Sequence, residues 1–271
     1  MRGDPVSGSW DEAAWRALAA ELDAWARAGR EASFFWRDDD AGGAHPTLAR
    51  LLALAAARAL PLGLAVVPAW LTPEGAVAIH AAPDGVAVLQ HGFAHANHER
   101  DPAPGAAKVR PAECGAARPT ETVLAELAAG RDRLGTAFGA RFLPVFVPPW
   151  NRIAPAVRAG LPRLGYRALS AFGRRPMPEP VPGLRHLNCH ADPIRWREGK
   201  RFAGAAAALH ALREHLAGRR EGRGDPAEPT GLLTHHRDME GAFWEFLEEL
   251  WARFGAHRAV AFPAVATLLA S

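Results

Sequence analysis

Two histidines four residues apart in "HGFAH", His91 and His95, and three consecutive aspartates, Asp38, Asp39 and Asp40, have the types and spacing to do chemistry. Imidazoles at that spacing lie on one face of a helical turn and can both reach a single ion at about 2.0 to 2.1 Å. A carboxylate from the aspartate run would complete three N/O ligands with an open position, the pattern of a catalytic zinc site. A second carboxylate beside it could take a proton. The crowding of like charges then has a reason: a divalent cation neutralises one acid and leaves its neighbour free to act as a base.

These residues need elements to position them. Short β-rich runs alternate with Ala/Leu-rich helical stretches: "SFFWR", then the helix "PTLARLLALAAARA" opened by Pro46, then "LGLAVV", a short helix capped by Thr72, and "GVAVLQ". The rhythm continues through "PTETVLAELAAGRDRLGTAFG", "LPVFV", "APAVRAGLPRLG", "RALSA", a helix near 202–217, "GLLTH", "FWEFLEELWARFG", "AVAF" and "PAVATLLA". Seven or eight such units predict an α/β fold, a distorted (β/α)7-8 barrel of parallel strands, in one domain over residues 1–271. A helix at about 10–28 precedes it, with Ser9 as N-cap and Glu12 closing a capping box. Two segments, "ANHERDPAPGAAKVRPAECGAARP" and "GRRPMPEPVPG", break the rhythm and read as long loops of the functional kind. In such a barrel the site lies at the C-terminal strand ends. There the sequence puts the aspartates and histidines already named, then Pro148, Pro149, Trp150, Asn151 and Arg152, then Asn188, His190 and Asp192, then His235 and His236.

In this order and on this strand rhythm the residues resemble the polysaccharide deacetylase family, metal-dependent carbohydrate esterases that remove acetyl groups on a distorted (β/α) barrel. The family's first motif ends in two aspartates, base then ligand, and resembles Asp39 and Asp40, with Asp38 and Asp39 as the rival register. The HxxxH motif is similar to His91 and His95. The Pro-aromatic motif is similar to Pro149 and Trp150, although the arginine falls afterwards, at Arg152. Asp192 and Trp196 in "DPIRW" resemble the fourth motif, and Leu233 and His235 the fifth, LxH. The resemblance implies one divalent ion, zinc with cobalt or nickel as substitutes, held by Asp40, His91 and His95. It implies Asp39 as the base on metal-activated water and His235 as the acid, with His236 the rival donor. Trp150, Asn151, Arg152, Asp192 and Trp196 would contact an acetylated sugar or glycoconjugate, and the Trp150 N–H could hold an oxyanion. The alternatives are a non-catalytic carbohydrate binder on a decayed deacetylase scaffold, or hydrolysis of a non-sugar amide.

Composition removes other classes. A formal charge of +3 on 271 residues, with arginines scattered along the chain, is too small an excess for a nucleic-acid partner. No stretch reaches membrane-spanning length, and the amphipathic N-terminal segment has no apolar signal core. Cys114 and Cys189 stand far apart without a CxxC spacing, which fits a reducing, cytoplasmic setting. Trp10, Trp15, Trp25, Trp244 and Trp251 recur at helical spacing and are expected as packing anchors; Trp150 is the exception, a flat ring able to stack on a sugar. Asn97 and His190 could meet substrate or merely satisfy loop backbone.

Overall fold

The structure, a computed structural model, describes residues 7–99, 109–175, 179 and 181–270, with side chains from residue 11 onward. Eight parallel strands form the main sheet: β1 (Ala32–Ala41), β2 (Leu62–Val66), β3 (Val86–His91), β4 (Phe142–Val147), β5 (Ala168–Leu169), β6 (Arg185–His186), β9 (Thr230–Thr234) and β10 (Val260–Ala261). A small antiparallel hairpin, β7 (Ile194–Arg195) with β8 (Arg201–Phe202), stands apart from it. The helices are α1 (Ser7–Arg27), α2 (Pro46–Ala57), α3 (Pro73–His80), α4 (Thr120–Phe138), α5 (Pro155–Gly160), α6 (Ala205–Arg220), α7 (Gly241–Gly255) and α8 (Val265–Ala270).

The sheet order runs β10-β1-β2-β3-β4-β5-β6, and β9 pairs with β1 from Phe34↔Thr230 to Asp38↔Thr234. Past β6, a single parallel bridge between Ala191 and Leu232 ties the chain back to β9. The sheet therefore curls into a distorted (β/α) barrel, as the strand rhythm predicted. Alternation along β1 divides its side chains between two cores. Phe35 faces inward with Ala65, Leu89, Val145, Val147, Leu187 and Leu233. Phe34 and Trp36 face outward into the layer under α1, α2, α6 and α7, where Trp36 meets Trp251 at 5.0 Å between ring centroids. Each buried side chain of this size contributes roughly 1.5 to 3 kcal/mol of transfer free energy, so the outer aromatic layer is a major stabilising feature.

The helix starts follow local rules. Thr72 Oγ1 accepts the N–H of Gly75 at 3.1 Å and caps α3, as expected, and Pro46 opens α2. Trp15, Trp25, Trp244 and Trp251 are all buried packing groups, as their spacing suggested; the Trp10 side chain lies outside the described residues. Ser9 is not an N-cap: α1 already runs from Ser7, which puts Ser9 inside the helix. The strand expected at 33–37 extends through the aspartates to Ala41, because Asp38 keeps its ladder partners Leu64 and Thr234 on both sides. The two expected loops fall partly outside the described residues, at 100–108 and at 176–178 with 180. No helix among the described residues is long and apolar enough to cross a membrane.

Candidate active site

Three consecutive aspartates on one strand would alternate in, out, in. The structure breaks that alternation between Asp38 and Ala41, where the register with β2 shifts and Asp40 takes φ 69°. Asp38 points outward and is fully buried: its carboxylate accepts from Thr234 Oγ1 at 2.7 Å and from the backbone N–H of His236 at 3.0 Å, with His236 Nδ1 at 2.5 Å. Asp39 points into the barrel. Past the bulge, Asp40 turns to the same pocket as Asp39, which simple alternation forbids. His235 joins them, with its Nε2 4.0 Å from Asp39 Oδ2, while His236 is turned away onto Asp38.

Asp39 is held by a residue that the sequence reading passed over. Arg37, two positions upstream and therefore on the same face, is wholly buried and forks onto the carboxylate: Nε to Oδ1 at 2.8 Å and Nη2 to Oδ2 at 2.9 Å. Its remaining N–H groups reach Ser170 Oγ at 2.8 Å, the Ser170 carbonyl at 2.9 Å and Asn151 Oδ1 at 3.0 Å. Burial works against the charge on Arg37, but Asp39 outweighs it, so the guanidinium is held protonated more firmly than in water. The signal was available: an arginine at i−2 of an acid on a strand shares its face.

His91 and His95 do not sit on a helical turn as expected. His91 is the last residue of β3, and a non-helical turn follows, with Gly92 at φ 57° and His95 at φ 54°. A carboxylate shapes that turn: Glu113, 2% exposed, accepts the backbone N–H of Ala94 at 2.7 Å, and those of Phe93 and His95 at 3.2 Å each. A Cβ at position 92 would collide with this carboxylate and with Pro149, so the turn requires glycine there. Glu113 lies twenty residues on, in a segment read as loop, and nothing in its spacing pointed to this contact.

The result is a convergence of lone pairs. His91 Nε2 and His95 Nε2 lie 3.3 and 3.4 Å from the same oxygen, Asp40 Oδ1, which is buried and accepts no hydrogen bond. His91 Nδ1 lies 3.0 Å from the Val147 carbonyl, which only a ring N–H at that position satisfies, so Nε2 carries a lone pair. Three unpartnered N/O donors facing one point fit a small divalent cation, and the anion-holding turn beneath them is the outer support such sites use.

These groups floor a pocket of about 1,040 Å³, lined further by Trp150, Asn151, Arg152, Asp192 and Trp196. The sequence-predicted site residues thus share one cavity, with different partners. The Trp150 ring lies 4.4 Å from that of His95, and Trp196 stands edge-on to His235 at 4.6 Å. Asp192 accepts from Trp196 Nε1 at 2.7 Å and from the Ile194 N–H at 3.1 Å. Asn151 gives its oxygen to Arg37, and Arg152 donates to the Pro111 carbonyl at 2.8 Å. Of the six non-glycine residues with positive φ among the described residues, five line this pocket: Asp40, His95, Trp150, Asn151 and Lys200. Backbone strain concentrates where side chains must be aimed.

Asn97 and His190 are elsewhere. Asn97 Oδ1 accepts the backbone N–H groups of Glu99 and Ala112. His190 stacks on His215 at 3.4 Å, and both Nε2 atoms approach Glu228, at 3.1 and 3.4 Å. That buried trio has metal-ligand types, yet its hydrogen bonds argue otherwise. The Gly231 N–H donates to His190 Nδ1 at 2.9 Å, so Nε2 carries the proton of the neutral ring and offers it to Glu228 rather than to an ion.

No family model matches the chain, and a search of curated proteins returns no match. Solved structures do match. A Mycobacterium smegmatis protein described as a polysaccharide deacetylase superposes with a TM-score of 0.57 at 17% identity, over 83% of this chain and 76% of its own. A family 4 carbohydrate esterase from Streptomyces lividans, in complex with acetate, gives 0.52 at 13% identity, covering 86% and 90%. A family 4 acetyl xylan esterase from Clostridium thermocellum, in complex with a cobalt ion, gives 0.52 at 14% identity, covering 88% and 90%. The chain therefore has the fold of the polysaccharide deacetylases and family 4 carbohydrate esterases.

Proposed function

We propose that the protein is a metal-dependent hydrolase that removes an acetyl group, N- or O-linked, from a carbohydrate or glycoconjugate. The observation that carries this reading is the meeting of Asp40 Oδ1 with two imidazole Nε2 atoms beside Asp39 and His235 in one pocket, on the deacetylase fold. Asp40, His91 and His95 would hold the ion, zinc by ligand type, with cobalt or nickel as substitutes. When bound, a divalent ion supplies Lewis acidity, which lowers the pKa of water and polarises a carbonyl.

Asp39 takes the proton of the attacking water. Arg37 occupies one direction at each of its oxygens and fixes the plane of the carboxylate, and the remaining lone pairs stay free for the proton. His235, across from Asp39, gives a proton to the departing nitrogen, which leaves poorly as an anion. Trp196 packs edge-on against His235 and, tied to Asp192, limits its rotation. The Trp150 N–H, on the turn after β4, is the group assigned to the developing oxyanion. In the balance, a carbon–oxygen bond forms, the carbon–nitrogen or carbon–oxygen ester bond breaks, and acetate and the free amine or hydroxyl leave.

The test is acetate release from acetylated sugars, glycoconjugates and small amides by protein stripped with chelator and reloaded with zinc, cobalt or nickel. Asp40→Asn and His91→Ala should lose stoichiometric ion, whereas Asp39→Asn should keep it and slow turnover by roughly 10² to 10⁴. Absence of acetate release with every ion and substrate, or full ion binding by His91→Ala, overturns the reading.

A further inference from the structure

The mouth of the pocket carries a charge that its floor does not explain. Arg110, Arg152, Arg197 and Lys200 line it, from the segment before Pro111, the turn after β4, and the hairpin region after β7. The acids of the same pocket already have partners: Asp39 has Arg37, Asp40 faces two imidazoles, and Asp192 accepts from Trp196 and Ile194. Lys200 pairs with Asp238 at 3.2 Å. Arg110, Arg152 and Arg197, however, have no carboxylate at ion-pair distance among the described residues.

Some surface arginines of this chain are paired closely, as in Arg50–Glu248 at 2.8 Å, Arg118–Glu126 at 2.8 Å and Arg253–Glu249 at 2.6 Å. Even next to Arg197, Glu198 is engaged by Arg195 and Arg201 instead. The three mouth arginines also feel each other: burial, with Arg110 and Arg197 as like charges, holds the Arg152 guanidinium below its ordinary value. Like charges converging from three segments, with no carboxylate at ion-pair distance among the described residues, leave a place for an anion supplied by a ligand. Guanidinium groups suit this role, since each can fork onto two oxygens of a phosphoryl or carboxylate group. Beside them stand exposed apolar faces, Phe172 at 45% and Trp196 at 39% exposure, able to cover the flat side of a ring. A cavity of about 1,040 Å³ has room for more than the acetylated sugar ring alone.

We propose that Arg110, Arg152 and Arg197 form an oxyanion clamp, so that the sugar accepted here carries a phosphoryl or carboxylate group in addition to its acetyl group. The proposal rests on the deacetylase reading for the word sugar and deepens it by naming the substrate's charge. The clamp takes no part in bond breaking; it holds the anionic end while the acetyl end meets Asp39 and His235.

The test uses the zinc-loaded protein and four probes: N-acetylglucosamine, its 1- and 6-phosphates, and the corresponding 6-carboxylate. Affinity is read by calorimetry and acetate release is read separately. At least one anionic probe should bind tenfold or more tightly than the neutral sugar. That ratio should shrink below threefold in Arg110→Ala/Arg197→Ala, and should fall as salt rises from 50 to 500 mM. A preference for the phosphates identifies a phosphoryl group as the anion, and a preference for the 6-carboxylate alone identifies a uronate. Equal affinity for all four, or a preference unchanged in the double variant, overturns the clamp. The two readings fail separately: equal acetate release and equal affinity keep the hydrolase and refute the clamp, whereas charge discrimination without acetate release keeps the clamp and refutes the hydrolase.

Discussion

Replacing Arg37 by Met keeps most of the side-chain length and removes the charge and every donor. The structure sets the size of the effect. Arg37 is 0% exposed and Asp39 is 2% exposed, so the variant leaves a carboxylate in the barrel with neither of its two short contacts. Ser170 and Asn151 lose donors as well. Breaking a buried pair from one side costs about 3 to 5 kcal/mol, because the surviving charge is uncompensated. At about 2 to 4 °C per kcal/mol for a chain of this size, the melting temperature should fall by about 10 °C. Turnover should drop by roughly 10² or more, since the base loses the fork that fixes its plane. The double-mutant cycle with Asp39→Asn isolates the pair: removing the charge from both sides should recover much of the stability, with a coupling of at least about 2 kcal/mol. Arg37→Lys should fall between, because an ammonium keeps the charge and cannot reach both oxygens and Ser170 together. An Arg37→Met protein that melts with the parent, or costs in the cycle that add within about 0.5 kcal/mol, would refute the account of Arg37 as the holder of Asp39.

Three further outcomes are expected. Glu113→Gln should weaken zinc binding about 10- to 100-fold, read by competition with a chromophoric chelator, because the turn carrying His95 loses its anion; unchanged affinity would remove Glu113 from the site. His235→Ala should lose activity on an amide and spare an activated ester whose leaving group needs no proton. His236→Ala should instead lower stability through Asp38, and equal loss on both substrates in His235→Ala would sink the acid role. The buried trio should make stability pH-dependent. Burial, with His190 as a like charge, lowers His215 to about 4, burial lowers His190, and the two imidazoles outweigh burial to lower Glu228 to about 2. In each case the unfolded chain binds the proton more readily, so the histidine contribution is complete above about pH 6.5 and is lost as pH falls through 4, and that of Glu228 is complete above about pH 4.5 and is lost as pH falls through 2. His215 accounts for at most about 3 kcal/mol of it, and denaturation midpoints at pH 7 and 4.5 should converge in His215→Phe.

The legibility of the site in the sequence followed the period of the backbone. Alternation in strands and Ala/Leu periodicity in helices are local, so the barrel, the Thr72 cap and the packing tryptophans could be read directly. The histidine pair was found from its spacing although the backbone between them is not helical; four residues also close a tight turn when Gly92 and His95 take positive φ. That conformation depends on Glu113, whose contact is made across a long loop, and no periodicity announces such a contact. The strands β6, β7 and β8, two residues each, leave no repeat to detect. Arg37 shares the face of Asp39 by strand parity alone, whereas the arginine after the prolines, Arg152, donates to the Pro111 carbonyl.

The pairing of the proposed base and acid is itself a consequence of register. In the parallel ladder Asp38 stands beside Thr234, so the next step along both strands brings Asp39 and His235 together on the inward face. By the same parity Asp38 and His236 meet on the outward face, where their hydrogen bond and the Thr234 hydroxyl tie the end of β9 to β1. A slip of one residue in either strand would exchange the members of the two pairs. The outward pair therefore does more than satisfy two buried polar groups: it makes every wrong register lose a buried hydrogen bond. Asp39 and His235, the proposed base and acid, can face the pocket without a hydrogen bond to each other, because their neighbours fix the alignment.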